Sequence, residues 1–180
     1  MTQDYIREML EESVRDPMAF ADLLRIKMST RQRDLLAKIT TATGRIDIEA
    51  DQNGDVARAA VLALFWRTLK TPLATGIILA NKREERRSSM EFVHRIAHQH
   101  SALQAVTQFK DPYWWRCIFG FRPNWQIVAP TPRVEQLVNL GFPAYVTVIV
   151  MGSAPEMLPA VKCCEAHCDA TPSSLVIQLW

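Results

Sequence analysis

Gly44-Arg45-Ile46-Asp47-Ile48-Glu49-Ala50-Asp51-Gln52-Asn53-Gly54-Asp55-Val56 reads as a strand, a loop and the start of a helix. The strand is placed at Arg45 to Ala50. The helix that follows, Ala57 to Leu69, is apolar nearly all round, the mark of a helix buried on every side. A strand feeding a buried helix is half of a strand–helix–strand unit, and the rest of the chain continues the alternation. Thr75 to Ala80 carries Ile77-Ile78-Leu79, a short apolar run suited to a buried parallel strand. A polar helix follows from about Arg83 to His100. Tyr145 to Met151 is the strongest strand, because β-branched side chains fit a pleated surface. Pro155 to His167 reads as a helix and Ser174 to Trp180 as the last strand. The pattern predicts an α/β fold: a mainly parallel central sheet flanked by helices, with the 145–151 strand central.

The flanking segments are read in the same way. Ile6, Met9, Leu10 and Val14 share one face of a helix over residues 3–15. Asp16-Pro17 starts a second helix, running to about Lys27, with Asp as N-cap and Pro at the first helical position. Ser29 or Thr30 caps a third, carrying Leu35, Leu36 and Ile39. Residues 104–128 read as antiparallel strands around an Arg122-Pro123-Asn124 turn. A short helix is expected over Arg133 to Asn139. No linker divides the chain, so one domain is expected, with an N-terminal helical segment (1–43) and an α/β core (44–180).

Composition sets the outer bounds. The chain has 180 residues, 48% of them hydrophobic and 22% charged, which suits an ordinary buried core. A net charge of +2 does not by itself imply a nucleic-acid partner. No apolar run approaches a membrane span, and the polar, soon acidic N-terminus shows no secretory signal. Three of the four cysteines crowd at Cys163, Cys164 and Cys168, unlike a spaced disulfide framework, so a cytoplasmic location is expected.

The loop before the buried helix has the position of a phosphate-binding P-loop. A working P-loop ends in Gly-Lys-Ser/Thr, whose Lys reaches the phosphates and whose hydroxyl holds magnesium. The matching residues here are Gly54, Asp55 and Val56. Asp55 places a carboxylate where a cation is needed, Val56 cannot ligate a metal, and Glu49 and Asp51 add negative charge that repels a triphosphate.

The order of motifs resembles the N-terminal ATPase domain of phage terminase large subunits, over roughly residues 20–180. Phe20 to Ile39 looks like the family's leading segment, with Arg31-Gln32 where a Gln usually contacts adenine. Gly44 to Ala60 is similar to the Walker A unit, and Gly76 to Ala80 with the helix from Asn81 to Ile96 to the second strand and its helix. Arg133 to Phe142 resembles the segment leading to Walker B, Val146 to Ala154 the Walker B strand and its exit, and Leu175 to Leu179 the next core strand. The resemblance implies a P-loop NTPase topology of the RecA or terminase type. The family's Walker B strand ends in Asp-Glu, for magnesium and for water activation. Met151 and Gly152 stand there instead, and Glu156 is expected in the following helix. The nuclease domain is absent from the 180 residues. The expectation is a catalytically inactive pseudo-ATPase without cofactor, phage-encoded, in the cytoplasm of an infected bacterial host, and acting through a protein partner. The alternatives are a DNA-binding accessory protein of packaging or replication, a nucleotide-binding subunit completed by a partner chain, and a phage inhibitor of a host defence system.

Other clusters carry weaker expectations. Asp47, Glu49, Asp51 and Asp55 read first as a solvated loop in which Asp55 caps the next helix. Cys163, Cys164, His167 and Cys168 lack a second ligand pair, so buried cysteines on an amphipathic helix are expected rather than a metal site. Lys82, Arg83, Arg86 and Arg87 could touch nucleic-acid phosphates, weakly, because Glu84, Glu85 and Glu91 interleave with them. Tyr113, Trp114, Trp115 and Trp125 supply a candidate partner-binding patch, one face of the hairpin being core and the other exposed. His94 and His98 are placed on the surface of their helix.

Overall fold

The computed structural model describes residues 8, 11–12, 14–71, 73–110, 115–120, 125–141 and 145–180. The expected first helix over residues 3–15, the Arg122-Pro123-Asn124 turn, and Tyr113 and Trp114 lie wholly or largely outside them.

Seven strands form one sheet in the order β1-β7-β6-β2-β5-β4-β3. They are β1 (Gly44–Ile48), β2 (Thr75–Ala80), β3 (Thr107–Lys110), β4 (Arg116–Phe119), β5 (Gln126–Val128), β6 (Val146–Met151) and β7 (Leu175–Leu179). The pairs from β1 across to β5 are parallel. Strand β4 is antiparallel to both β5 and β3. The β-branched run is internal as expected: β6 pairs with β2 on one side and β7 on the other.

Alternate strand residues supply two cores. Ile78, Ile127, Ile149 and Ile177 belong to one. Ile77, Leu79, Val128, Val148, Val150 and Val176 belong to the other. Helices α1 (Pro17–Leu23), α2 (Thr30–Thr41), α3 (Asp55–Lys70) and α4 (Arg83–Gln99) pack on the first face. Helices α6 (Val134–Asn139) and α7 (Leu158–Ala170) pack on the second. Between them in sequence lies the short α5 (Ser101–Val106). The chain crosses from β2 outward to β5, then back to β6 and β7, and right-handed crossovers in opposite directions put helices on opposite faces.

Helix α1 starts as predicted, with Asp16 accepting the Met18 N–H at 2.9 Å, but ends at Leu23 rather than Lys27. Helix α2 carries a full capping box: Ser29 Oγ accepts the Gln32 N–H and Gln32 Oε1 accepts the Ser29 N–H. Residues 104–128 depart from the expectation in two ways. Residues 101–106 are helical, with His100 Nδ1 accepting the Ala102 N–H at 3.2 Å as the cap. Strand β5, antiparallel to β4, is also parallel to β2, a non-local pairing that ties the hairpin to the core.

Helix α3 has eleven of its sixteen residues buried, so no wide polar face fixes its rotation. Three polar contacts do. Arg67 donates from Nη1 to the carbonyls of Ile39, Thr40 and Ala42, from Nη2 to Ser173 O, and from Nε to Thr147 Oγ1. Thr68 Oγ1 donates to Leu64 O at 2.8 Å. Trp125 Nε1 donates to Thr68 O at 2.5 Å. The helix also lies close against β2. A Cβ on Gly76 would stand 2.8 Å from Thr68 Oγ1 and 3.0 Å from Leu64 Cδ2 and Ile127 Cγ1.

Two stability predictions follow from this packing. Gly76→Ala should cost about 1–3 kcal/mol, as overpacking does, because the Thr68 hydroxyl is held by its own hydrogen bond. Arg67→Met should cost on the order of 3 kcal/mol, because carbonyls of α2 and the Ser173 turn lose a charged donor together. Chemical denaturation of each variant measures both, and a loss under about 0.5 kcal/mol, the scale of an ordinary surface change, would contradict either.

Candidate functional site

Parallel α/β sheets bind ligands beyond the carboxyl ends of their strands, where the strand order reverses. Here the reversal falls between β2 and β6. The exits from these strands are bridged by the protein itself: Asn81 Nδ2 donates to Glu156 Oε1 at 2.6 Å. Glu156 sits in a 3-10 turn (Pro155–Met157) ahead of α7 rather than in the helix expected for it.

Beside this crevice a cleft of about 410 Å³ opens between the start of α3, the first turns of α4 and the end of β6. Gly54, Ala57 and Arg58 line one wall, Glu84, Ser88 and Ser89 the other, and Met151 the floor strand. A second cleft of about 400 Å³ contains Gln32, Lys27, Met28 and Asp55. The two share Arg58, Phe92 and Arg95. The structure therefore brings Gln32, Gly54, Asp55 and Met151 to adjoining clefts at one rim of the sheet.

The loop geometry departs from the sequence expectation in one informative respect. Gly54, with φ 72° in the left-handed region, is the N-cap of α3, and Asp55 is already its first helical residue. The capping carboxylate is Asp51, whose Oδ1 accepts the Val56 N–H at 3.1 Å. Asp55 instead faces Arg58 at 3.5 Å. The N-terminus of a buried helix is a ready anion site. In this chain the anion is the protein's own Asp51.

Gln32 is held by the capping box of α2, and its Nε2 donates to Asp55 O at 3.4 Å, so it bridges the two helices. Met151 Sδ accepts from Ser89 Oγ at 3.6 Å. Gly152, with φ 83°, donates its N–H to Leu179 O, and its carbonyl accepts from Gln178 Nε2 at 2.7 Å. Around the first cleft the charges alternate. Glu85 pairs with Lys82 at 3.6 Å and Glu91 with Arg87 at 2.8 Å. Glu84, Glu85 and Glu91 stand against Arg58 and Arg95, so the lining has no positive excess.

The basic set of α4 is smaller than its sequence implies. Arg86 is buried, and its Nη1 donates to Ala80 O at 2.6 Å and Asn81 O at 3.2 Å, fastening α4 to the end of β2. Burial lowers its pKa from the ordinary arginine value, and the Trp115 ring lies 5.6 Å from Cζ. Only Lys82, Arg83 and Arg87 of that set reach the surface, and Lys82 and Arg87 are ion-paired there.

Trp115 and Trp125 are half-buried and pack against the first core, the core face of the expected hairpin, while Tyr113 and Trp114 lie outside the described residues. The Trp125 ring contacts Phe119 with centroids 5.8 Å apart, and its N–H is committed to Thr68. The His94 ring stacks on His98 at 4.0 Å and lies 4.7 Å from Phe109 of β3; His98 is exposed, as expected, while His94 is half-buried, and burial lowers its pKa. Cys164 and Cys168 are buried in the second core; burial pushes the Cys164 thiol up, and that of Cys168 up to about 11. Among the described residues no group of three His, Cys, Asp or Glu is arranged to hold a metal ion. None of the described helices is long and apolar enough to cross a membrane.

Neither protein-family models nor curated proteins give a match to this chain.

The Asp51 cap carries its own prediction. Asp51→Ala should cost about 1 kcal/mol, the usual loss when a capping side chain is removed, whereas Asp55→Ala should cost less. Thermal unfolding of the two variants side by side checks the order, and the reverse order would return the cap to Asp55.

Proposed function

We propose that this chain is a pseudo-ATPase of terminase-like P-loop type, with a rim used for structure and a surface used for a protein partner. The observation that carries the reading is the Asp51 carboxylate on the Val56 N–H, at the helix terminus that a phosphate would otherwise occupy. A bound triphosphate would have to displace a tethered anion and then face Asp55 and three glutamates. Support also comes from position: the Gly54 loop follows β1 and Met151-Gly152 ends β6, with only β7 between them in the sheet. They are brought to one rim, as a phosphate loop and a metal-binding strand end must be. At that rim Met151 and Gly152 offer no carboxylate for magnesium or for water.

The adjoining cleft favours one second reading. Gln32 and Phe92 line it next to α3, an amide and a ring suited to a purine base. A partner chain supplying cations would then complete a nucleotide site on this half. The two readings separate by experiment.

Calorimetry of the isolated chain with millimolar Mg-ATP should give no saturable heat and no phosphate release. Saturable binding tighter than about 100 μM, equivalent to roughly −5.5 kcal/mol, would overturn the pseudo-ATPase reading. Adenosine binding without ATP binding would favour the second. Asp55→Lys alone should leave hydrolysis at background, because neither Walker B acid is restored.

A further inference from the structure

Strand β1 ends the sheet, and its outer side has no neighbouring strand among the described residues. Its inner side is fixed by the parallel ladder with β7. The Gly44 N–H donates to Ser174 O, the Trp180 N–H to Ile48 O, and the Ala50 N–H to Trp180 O. Even-numbered residues of β1 therefore turn their peptide groups toward β7. Those of Arg45 and Asp47 point to the open side, since successive residues of a strand alternate. An open edge recruits another strand unless something prevents it, and charged side chains are the usual guard. Here the guard has both signs. Arg45 and Asp47 lie on one face, paired to each other at 3.0 Å, with Arg45 also on Glu165 of α7 and Asp47 accepting from Trp180 Nε1 at 3.0 Å.

The order of those charges is self-complementary. Pair β1 with a second β1, antiparallel and centred on Ile46. Arg45 then stands opposite the other copy's Asp47, Asp47 opposite its Arg45, and Ile46 opposite its own equivalent. The register also satisfies parity. Arg45 and Asp47 are the residues whose peptide groups face outward, so each Arg45–Asp47 couple becomes a hydrogen-bonded pair. Ile46 becomes the non-bonded pair, where side chains approach most closely. Opposite charges directly opposed and an apolar pair between them are both stabilising in an antiparallel ladder. Shifting the register by two residues one way sets Arg45 against its own copy; shifting it the other way brings Arg45 opposite Glu49 but sets Asp47 against its own copy.

We propose that two copies of this chain associate through β1, edge to edge and antiparallel about Ile46, into one continuous sheet. The contact is isologous, as a closed two-fold dimer requires. It is a short interface, so association is expected to be weak and to fall with salt.

Sedimentation over a concentration series should show a monomer–dimer equilibrium. Arg45→Glu, which sets like charges against Asp47 twice, should weaken association at least tenfold while the monomer's thermal midpoint stays within a few degrees. The exchange Arg45→Asp with Asp47→Arg should restore it. Glu165 then faces a like charge within its own chain, so a second measurement decides if the exchanged chain folds poorly. Ile46→Cys should form a symmetric disulfide on mild oxidation, because Cα atoms about 4.5 Å apart in a non-bonded pair lie within disulfide reach. Peptide mapping separates that bond from one through half-exposed Cys163. A chain that stays monomeric at all concentrations and fails to cross-link at position 46 overturns the proposal. A dimer indifferent to Arg45→Glu and not cross-linked there overturns it too, and places the contact on another surface.

Discussion

The position of α3 depends on a half-buried guanidinium whose hydrogen-bond partners among the described residues include no carboxylate. Arg67 lies near the carboxyl end of a helix that is otherwise almost wholly apolar. Taking its charge out of water is costly, and burial lowers its pKa from the ordinary value. The cost is offset by five acceptors drawn from three places: the last turn of α2, the start of β6 and the turn before β7. The carbonyls at the end of α2 are the negative pole of that helix, so cation and dipole agree. Without such an anchor an apolar helix against an apolar sheet can rotate with little penalty. With it, Thr68 and Leu64 are brought against Gly76, and the far end of α3 is aimed at the rim.

That rim is closed by the chain's own polar groups. Asp51 takes an N–H of α3, Asn81 holds Glu156, Arg86 takes the carbonyls at the end of β2, and Gln178 takes the carbonyl of Gly152. In a parallel sheet these are the groups that would otherwise meet a ligand. Each has a partner within the chain at the strand ends, and what stays open beside them is a cleft of mixed charge lined by side chains of α3 and α4. Stability and ligand binding compete for the same few donors, and here the internal partners hold them.

Much of the fold was legible because its signals are local. The β-branched run of β6, the apolar α3 and the Asp16-Pro17 start follow from propensity and capping chemistry. The parallel attachment of β5 to β2 was not, since about fifty residues separate the partners and nothing local encodes the pairing. Helix α5 was missed because its cap is a histidine ring rather than one of the usual capping side chains. At the site, proximity to the helix points to Asp55 as the cap. The left-handed Gly54 moves the helix start and hands the role to Asp51, a geometry that spacing alone does not disclose. Arg86 carries a readable signal: with Met90, Val93 and Ala97 it forms a buried stripe at helical spacing. A charged residue in such a stripe is more economically explained by an internal partner than by a phosphate outside.

The two flanks of the sheet answer the same edge problem differently. On one side β4 and β3 reverse direction, and Phe109 of β3, Phe119 of β4 and the half-buried Trp115 and Trp125 at the starts of β4 and β5 pack back on the core. An antiparallel flank can be added by short turns, which makes it a local solution to a sheet margin. On the other side β1 is parallel to its neighbour and cannot be closed by a hairpin from that neighbour. Its margin is guarded instead by the alternating charges of Arg45 and Asp47, with Glu165 behind them. A guard of one sign repels every copy of itself, whereas a guard that alternates in sign repels some registers and matches one. The rim's polar groups are held within the chain. The β1 margin, by contrast, sets its outward-facing peptide groups beside charges of both signs, a pattern that a second copy of itself can match.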